Sequence, residues 1–265
     1  MLTDTLIAVA GFTVLLAVLT AVETITPVER YSIRSRLPGV VYWALMLSVG
    51  PLCLAVFQRT WQLAGIKPLL TVDISVFGTT AAVIGSILFS DFLAYWNHRF
   101  QHRWLWAIHV LHHSQTELNA ANGYAHFLER ALRFLLFAVP LSLIHFRFPA
   151  IPFAVVLTLE LLERYIHSPT TIHMGALRWV FVDNRYHRIH HSLEVRHFDK
   201  NFGILLSVWD RLFGTAYDPR PDEWPATGVA GQAPPRTIAE YALYPLFFLR
   251  QRASPAPQIG DCASR

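Results

Sequence analysis

Uncharged stretches long enough to cross a bilayer recur along the first part of the chain. One runs for eighteen residues between Asp4 and Glu23, a second is Leu37–Gln58, and a third fills the seventeen positions between Asp73 and Asp91. About 20 apolar residues in a helix span the hydrocarbon core, so the pattern predicts three membrane-spanning helices. The first lacks the basic segment and the small-residue cleavage site of a signal peptide, and we expect it to be retained.

Two shorter apolar runs, residues 134–146 and 148–159, follow later in the chain. Each is short for a span, but with Pro149 and Pro152 at the turn they predict a helical hairpin that dips deep into the bilayer or through it. The fold prediction is therefore all-α: a polytopic membrane protein with about four transmembrane helices or hairpin arms, in a single domain of residues 1–265.

The carboxyl-terminal part of the chain has a different pattern. Residues 218–236 are polar and rich in proline, and residues 237–252 are rich in aromatic side chains and end in Arg-Gln-Arg. We expect residues 237–252 to form an amphipathic helix on the membrane surface. The tail after Ala253 is expected to be disordered. Linker, surface helix and tail together occupy residues 218–265 of the domain.

Composition and charge agree with a membrane protein. Hydrophobic residues make up 53% of the chain and charged residues only 15%, whereas soluble domains have about 25% charged residues. The loop before Leu37 holds three arginines, and further arginines cluster around Arg99 and Arg130, so both regions are expected on the cytoplasmic side. Because topology accounts for the basic residues, the net charge of +4 does not indicate nucleic-acid binding. Cys53 and Cys262 match no disulfide or metal-binding spacing.

Histidine is the residue type that indicates chemistry. Eight of the 13 histidines form three clusters in which neighbours are three or four residues apart or adjacent. The clusters are His98 and His102; His109, His112 and His113; and His187, His190 and His191. Residues at these spacings share one face of a helix, so each cluster could offer two or three imidazoles to one metal site. Any single histidine could instead serve only to satisfy hydrogen bonds.

Polar residues on the same helix faces are candidates for orienting these histidines. Asp91, Tyr95 and His98 fall on one helical stripe, at i, i+4 and i+7. A carboxylate behind a ligating imidazole commonly fixes its tautomer, so we predict this role for Asp91. The alternatives are an interfacial charge at Asp91 and an aromatic-belt residue at Tyr95. At the end of the hairpin Glu163 and His167 share a face, which returns His167 to the level of the clusters.

Five motifs in this region resemble the fatty acid hydroxylase and sterol desaturase superfamily. They are D-x3-Y-x2-HR-x2-H at 91–102, H-x2-HHS at 109–114, His167 with Ser168, HR-x-HHS at 187–192, and NFG-x5-WDRLFGT at 201–215. The resemblance covers about residues 84–215, which would be the core of the domain. It implies an integral-membrane, non-haem di-iron oxygenase with a four-helix membrane core and a cytoplasmic cap of histidine-rich helices.

Carried over position by position, the resemblance implies nine metal ligands. They are His98, His102, His109, His112, His113, His167, His187, His190 and His191. His126 and His197 are further candidates. The chain departs from the family pattern at Asp183 and Asn184, where Thr-Pro is common, and at Tyr124, which replaces an arginine and leaves His126 open. The candidates for orienting the ligands are Asp91, Tyr95, Glu163 and Asn201.

The donor set also favours a redox metal. Nine imidazoles are too many for one metal but enough for two, and iron is favoured because zinc takes no part in redox chemistry, although zinc could substitute in isolated protein. Lipid chains present unactivated C–H bonds, whose oxidation requires an oxidant made from O₂. The sequence has no GxGxxG or haem motif, so electrons are expected from a separate reductase with a ferredoxin or a cytochrome b5-like protein.

The predicted function is O₂-dependent hydroxylation or desaturation of a membrane lipid, such as a fatty acyl chain or a sterol. One alternative keeps the metal site but acts as a carotenoid or ether-lipid monooxygenase. Another is a non-enzymatic zinc-binding membrane protein. A metal transporter would need ionisable residues in the middle of its spans, and the candidate spans lack them.

Overall fold

The computed structural model describes residues 2–147 and 153–253, and most of these residues are helical. The helices are α1 (Leu2–Ile25), α2 (Leu37–Leu63), α3 (Thr79–Trp104), α4 (Trp106–His113), α5 (Phe127–Arg133), α6 (Val139–Leu141), α7 (Phe153–Tyr165), α8 (Asn184–His190), α9 (Val208–Leu212) and α10 (Ile238–Ala253). A short π-helical segment, Phe134–Ala138, joins α5 to α6. The predicted helical class is confirmed.

Two of the described helices are long and apolar enough to cross a membrane. They are the helical stretch Arg34–Leu63, which contains α2, and α3. Along α2, Val41, Leu45 and Leu52 expose more than half of their surface, as side chains that face lipid would. The first predicted span falls in α1, whose apolar segment is Val9–Ile25.

The first apolar run of the predicted hairpin, residues 134–146, is helical only as far as Leu141 and ends in a strand, Ile144–Arg147, so the helical prediction was wrong there. The helical part of the first arm consists of α5, the π-helical segment and α6, and the second arm is α7. The first arm has fifteen helical residues, about 22 Å of helix, which is shorter than the roughly 30 Å hydrocarbon core. The expected turn at Pro149 and Pro152 lies outside the described residues. So does the tail after Ala253, together with Cys262.

A small sheet joins two connections that are distant in sequence. Strand β1 (Leu70–Asp73) pairs in parallel with β2 (Ile144–Arg147), so that Thr71 faces His145. Strand β1 lies just before α3 and β2 just after α6, whereas the first histidine cluster lies in the last two turns of α3. The strands therefore sit at the end of α3 that is remote from the clusters, about 29–35 Å from His98 and His102 along the helix. No sequence pattern had predicted these strands.

At the other end of the molecule, α4 packs against α10 and α2. Their contact forms a hydrophobic cluster with Trp43 from α2, Leu111 from α4 and Phe248 from α10 at its centre. Helix α10 corresponds to the predicted surface helix. Its placement on a membrane remains a prediction.

The polar segment between α4 and α5 is buried rather than exposed. The Glu23 carboxylate accepts a hydrogen bond from the Ala120 amide at 2.8 Å and pairs with Arg36. The Trp43 indole donates to the Ala121 carbonyl at 3.1 Å. A Cβ atom at Gly39 would lie 2.0 Å from that carbonyl, so only glycine allows this approach. Helices α1 and α2 thus fix a loop that borders the histidines.

Candidate metal centre

Nine histidines bring one ring nitrogen each into two groups. The five-histidine group consists of His98, His102, His109, His113 and His190. The four-histidine group consists of His112, His167, His187 and His191. Within each group the potential ligand atoms all lie within 4.8 Å of one another. These are the nine residues that the family resemblance implies, and their role as ligands remains a prediction.

Each HxxHH motif divides its histidines between the two groups. In α4, His109 and His113 enter the five-histidine group, whereas His112 enters the four-histidine group. In α8 the assignment is reversed, because His190 alone joins the five-histidine group. The expectation that each cluster offers its imidazoles to one site therefore holds for His98 and His102 and is wrong for the two HxxHH motifs. Successive helical residues turn by about 100°, so positions i and i+4 nearly coincide while i+3 points to the other side of i.

The spacing of the ring nitrogens fits metal binding. The Nε2 atoms of His102 and His109 lie 3.1 and 3.2 Å from Nε2 of His113, and Nε2 of His187 lies 3.1 Å from that of His167. Metal–nitrogen bonds of about 2.0–2.1 Å place neighbouring ligands roughly 3.0–3.4 Å apart. The buried Nε2 atoms of His98 and His190 have no hydrogen-bond partner among the described residues. Buried polar atoms rarely stay unsatisfied, so these two atoms support a metal in the five-histidine group, while the nitrogen spacing fits a metal in each group.

Burial also keeps these histidines in the form that binds metals. Removal from water lowers the pKa of His112 and of His167 to about 4. Burial, followed by the neighbouring imidazoles, holds the pKa values of five further histidines well below their ordinary range; these are His109, His113, His187, His190 and His191. Neutral imidazole is the ligating form, so no proton has to be displaced near neutral pH.

One short loop, residues 199–202, faces three members of the five-histidine group. The Phe202 carbonyl lies 2.9 Å from Nδ1 of His98, and the Lys200 carbonyl lies 2.8 Å from Nδ1 of His190. A carboxylate oxygen of Asp199 lies 3.5 Å from Nδ1 of His102. Acceptors at Nδ1 hold the proton there and leave Nε2 free to bind a metal.

The backbone of this loop is unusual. Asp199 and Asn201 have φ angles of 56° and 59°, a left-handed conformation that costs energy for residues other than glycine. The Asn201 side chain holds the loop, because its amide donates to the carbonyls of Tyr186 and Tyr217 and its oxygen accepts from the Tyr217 amide. Asn201, a predicted orienting residue, therefore acts on the histidines through the backbone on either side of it.

Three further oxygens face histidines from other elements. The Glu129 carboxylate lies 2.9 Å from Nδ1 of His109, and the Tyr124 carbonyl lies 3.2 Å from Nδ1 of His112. The Glu163 carbonyl lies 3.0 Å from Nδ1 of His167. Sequence reasoning missed Glu129 and Asp199; their only signal was an acidic side chain in a histidine-rich neighbourhood. The carbonyl acceptors were missed because residue type does not indicate where a backbone carbonyl points.

Two predicted orienting residues have partners other than histidines. Both carboxylate oxygens of Asp91 accept hydrogen bonds from the amides of Leu205 and Leu206 and from the indole of Trp209, at 2.8–3.1 Å. The prediction that Asp91 orients an imidazole was wrong, because the chain segment after residue 203 folds against this side of α3. The Tyr95 hydroxyl lies 2.9 Å from the Thr215 hydroxyl.

Glu163 contacts His167, but with its backbone rather than its carboxylate. The carboxylate pairs with Arg164 at 3.4 Å, which leaves the carbonyl to face the imidazole. The Glu163 side chain therefore does not orient a histidine in this structure. Its backbone carbonyl, four residues before His167, faces that imidazole instead.

His126 and His197, the two further candidate ligands, lie outside both groups. His126 begins α5, where its Nδ1 accepts from the Leu128 amide, and its Nε2 lies 3.3 Å from the Ala242 carbonyl on α10. Nδ1 of His197 lies 2.8 Å from the Ser192 hydroxyl, and its Nε2 lies 3.2 Å from the Glu223 carboxylate. His126 has hydrogen-bond partners at both ring nitrogens, whereas Nε2 of His197 has no hydrogen-bond partner among the described residues and only a carboxylate at ion-pair distance.

A cavity of about 600 Å³ reaches the five-histidine group. Its lining includes His102, His113 and His190, whereas no member of the four-histidine group lines it. Another cavity of similar size, about 660 Å³, lies beside Glu117 and Arg236 and has no histidine in its lining. The first cavity could therefore bring a substrate to the histidines.

Comparison with known proteins gives consistent matches over the histidine-rich region. A family model described as fatty acid hydroxylase matches residues 83–215. Alkylglycerol monooxygenase of Danio rerio is 34% identical over 124 residues, which are 46% of this chain and 27% of that protein. Ornithine lipid hydroxylase OlsE of Rhizobium tropici is 30% identical over 167 residues, 60% of this chain and 49% of that protein. The chain thus spans about half or less of the length of these relatives. No solved structure gives a significant match.

Proposed function

The chain belongs to the fatty acid hydroxylase family, and from this premise we propose that it is an O₂-dependent di-iron oxidoreductase that hydroxylates a membrane lipid. The observation that carries the proposal is the convergence of nine imidazoles into two groups, one of which lines a cavity. Desaturation of the lipid is the alternative outcome at the same site. We favour oxygen insertion because the two relatives compared above are named monooxygenase and hydroxylase.

Two iron ions would be held by the five-histidine and four-histidine groups, and they would supply the capacity to reduce O₂ and to oxidise a C–H bond. The protein's own residues orient the ligands and cover part of the site. Oxygens of residues 199–202 and of Glu129 fix the rings of four ligands. The Trp106 indole lies with its ring centre 5.0 Å from that of His102 and 5.1 Å from that of His113. This packing keeps water from one side of the group.

Electrons come, in this proposal, from a separate reductase acting through a ferredoxin or a cytochrome b5-like protein. The support is the absence of a nucleotide-binding or haem-binding motif in the sequence. The relatives' names also leave open an ether lipid as substrate. An alkylglycerol and an ornithine lipid are therefore the first two compounds to supply.

For the topology, we propose about four membrane crossings with the histidines on the cytoplasmic side. Arginines gather near the histidine end of α3, which supports this orientation through the excess of positive charge in cytoplasmic loops. The pairing of β1 with β2 supports a common, opposite side for the α2–α3 connection and the hairpin turn. Cysteine labelling that placed residues 98 and 187 on different sides of the membrane would refute this orientation.

The test of function combines metal analysis and lipid analysis of the full chain expressed in a bacterial host. Purified protein should contain about two irons per chain, one for each group. Host membranes, with alkylglycerol or ornithine lipid supplied, should gain a lipid species heavier by one oxygen atom, labelled when ¹⁸O₂ is provided. The matched control is a variant with His102→Ala and His187→Ala, one change in each group. Tightly bound zinc with no oxygen-labelled lipid under any supply would instead identify a zinc-binding membrane protein.

A further inference from the structure

The cavity that reaches the five-histidine group is lined by two chemically different sets of side chains. Trp106, Phe198, Val229 and Phe248 form its apolar wall. Trp106 and Val229 pack against the hydrophobic cluster shared by α2, α4 and α10, and Phe248 belongs to it. The lining also contains the charged residues Arg103 and Asp199 and the amides Gln232 and Gln251. A lipid entering this cavity would find apolar side chains for its hydrocarbon chain and polar side chains for its head group.

The charged side of the cavity is available to a ligand. The Asp199 side chain keeps 79% of its surface exposed, and its strained backbone is held by the anchored loop around Asn201. In the part of the chain that the structure describes, Arg103 is exposed and forms no ion pair. A cation and an anion therefore stand at one rim, which is the arrangement that a zwitterionic head group would neutralise.

This rim is also very close to the histidines. The Asp199 carboxylate lies 3.5 Å from Nδ1 of His102, so a single imidazole ring separates it from the ligand nitrogen of that residue. Arg103 follows His102 in the chain and lines the same cavity. A head group held at the rim consequently presents to the five-histidine group a carbon that is only a few bonds away.

We propose that Arg103 and Asp199 bind the zwitterionic head group of the lipid substrate and that oxidation occurs within the first few carbons from that head. This inference rests on the proposed function and adds the substrate class and the position of attack. The balanced reaction is the insertion of one oxygen atom of O₂ into a C–H bond. The other oxygen atom becomes water, with two electrons from an external one-electron carrier protein and two protons from solvent.

The first test locates the oxygen in the product. Oxygen-labelled lipids from the host that expresses the wild-type chain are fragmented in a mass spectrometer, and the label should lie on the head group or within its first few carbons. A label at the middle or the end of the chain would overturn the proposal while leaving the hydroxylase function intact. A complete lack of labelled lipid would instead count against the proposed function.

The second test measures binding without turnover. Two alkylphosphocholines, one with a diazirine at the third carbon and one at the chain end, are crosslinked to the purified metal-bound protein without any electron donor, so that no turnover occurs, and the crosslinks are mapped. The first should label the segment around Trp106 and His113, and the second should label the apolar wall near Phe248. The reverse pattern would contradict the proposed orientation.

Variants complete the second test. Arg103→Gln and Asp199→Asn should each lower crosslinking of the third-carbon probe at least tenfold. Arg103→Gln leaves the carboxylate that faces His102 in place and should keep its two metals. Arg30→Gln removes another exposed arginine outside the cavity and should leave the crosslinking unchanged. Unchanged crosslinking in both rim variants would overturn the role of the rim, whether or not the lipid is still oxidised.

Discussion

The two histidine groups use one kind of ligand in two different surroundings. In the five-histidine group, four imidazoles face an oxygen at their other ring nitrogen, and two of those oxygens belong to the carboxylates of Glu129 and Asp199. In the four-histidine group only His112 and His167 do so, and both face backbone carbonyls. Carboxylate partners make an imidazole a stronger donor, and only the five-histidine group borders the cavity. Similar donor sets thus acquire different basicity and access.

The largest effect that separates the groups should come from removing a ligand. His190→Ala and His191→Ala change neighbouring residues that belong to different groups. Each variant should lose about one metal per chain, and each should lose more activity than the roughly 10–100-fold typical of outer-sphere changes. Metal analysis after purification checks this. A full complement of two metals in both variants would mean that these histidines are not ligands.

A smaller change should disturb the four-histidine group alone. A Cβ atom at Gly123 would lie 2.9 Å from Nδ1 of His167 and 3.0 Å from two of its ring carbons. Gly123→Ala should therefore displace this imidazole and weaken one metal site while the other stays filled. Gly85→Ala is the matched control, because nothing lies within 4 Å of the added atom. Equal metal loss from the two groups would show that the loop supports both.

The complementary change addresses the five-histidine group. Glu129→Gln keeps the shape of the side chain but removes the charge that faces His109, so the affinity for one metal should fall about 10–100-fold. Competition with a chelator, followed by the visible spectrum of cobalt-substituted protein, measures the two sites separately. The exposed Glu117 provides the control Glu117→Gln. An unchanged cobalt spectrum and affinity would exclude Glu129 as a partner of His109.

The smallest effect on metal binding is expected at Asp91. Asp91→Asn leaves one acceptor oxygen for three donors and turns an amide group toward N–H groups. Stability should fall by about 1–3 kcal/mol, the usual consequence of a buried donor left without a partner. Two metals should remain. Thermal unfolding with parallel metal analysis checks this. Loss of metal without loss of stability would indicate that Asp91 acts directly on the histidines.

The success and the errors of prediction from sequence have a common physical basis. Eight of the nine histidines could be named from residue type and spacing, and the family resemblance added His167; the structure gathers all nine. Their division into two groups could not be read from clusters alone, since it depends on how α4 and α8 are rotated against α3 and the end of α7. Asp91 shows the same limit, because its partners lie 114 to 118 residues further along the chain.

Elements that depend on long-range pairing could also not be predicted from the sequence pattern. The β1–β2 pair joins segments 74 residues apart, and neither strand has the length or alternation that would mark it. The helices, by contrast, follow from uncharged runs whose period and length are local properties. The burial of the loop at Ala120 likewise depends on a distant partner, Glu23 on α1, which the polar side chains of the loop do not indicate.

Because each HxxHH motif supplies histidines to both groups, α4 and α8 fix the distance between the two groups. One rigid helix holds His109 and His112, so the separation of the groups is set by the pitch of the backbone rather than by side-chain packing. Exchanging apolar residues on the opposite face would leave that separation unchanged. Deleting a single residue between the two histidines would turn one of them by about 100° and remove it from its group.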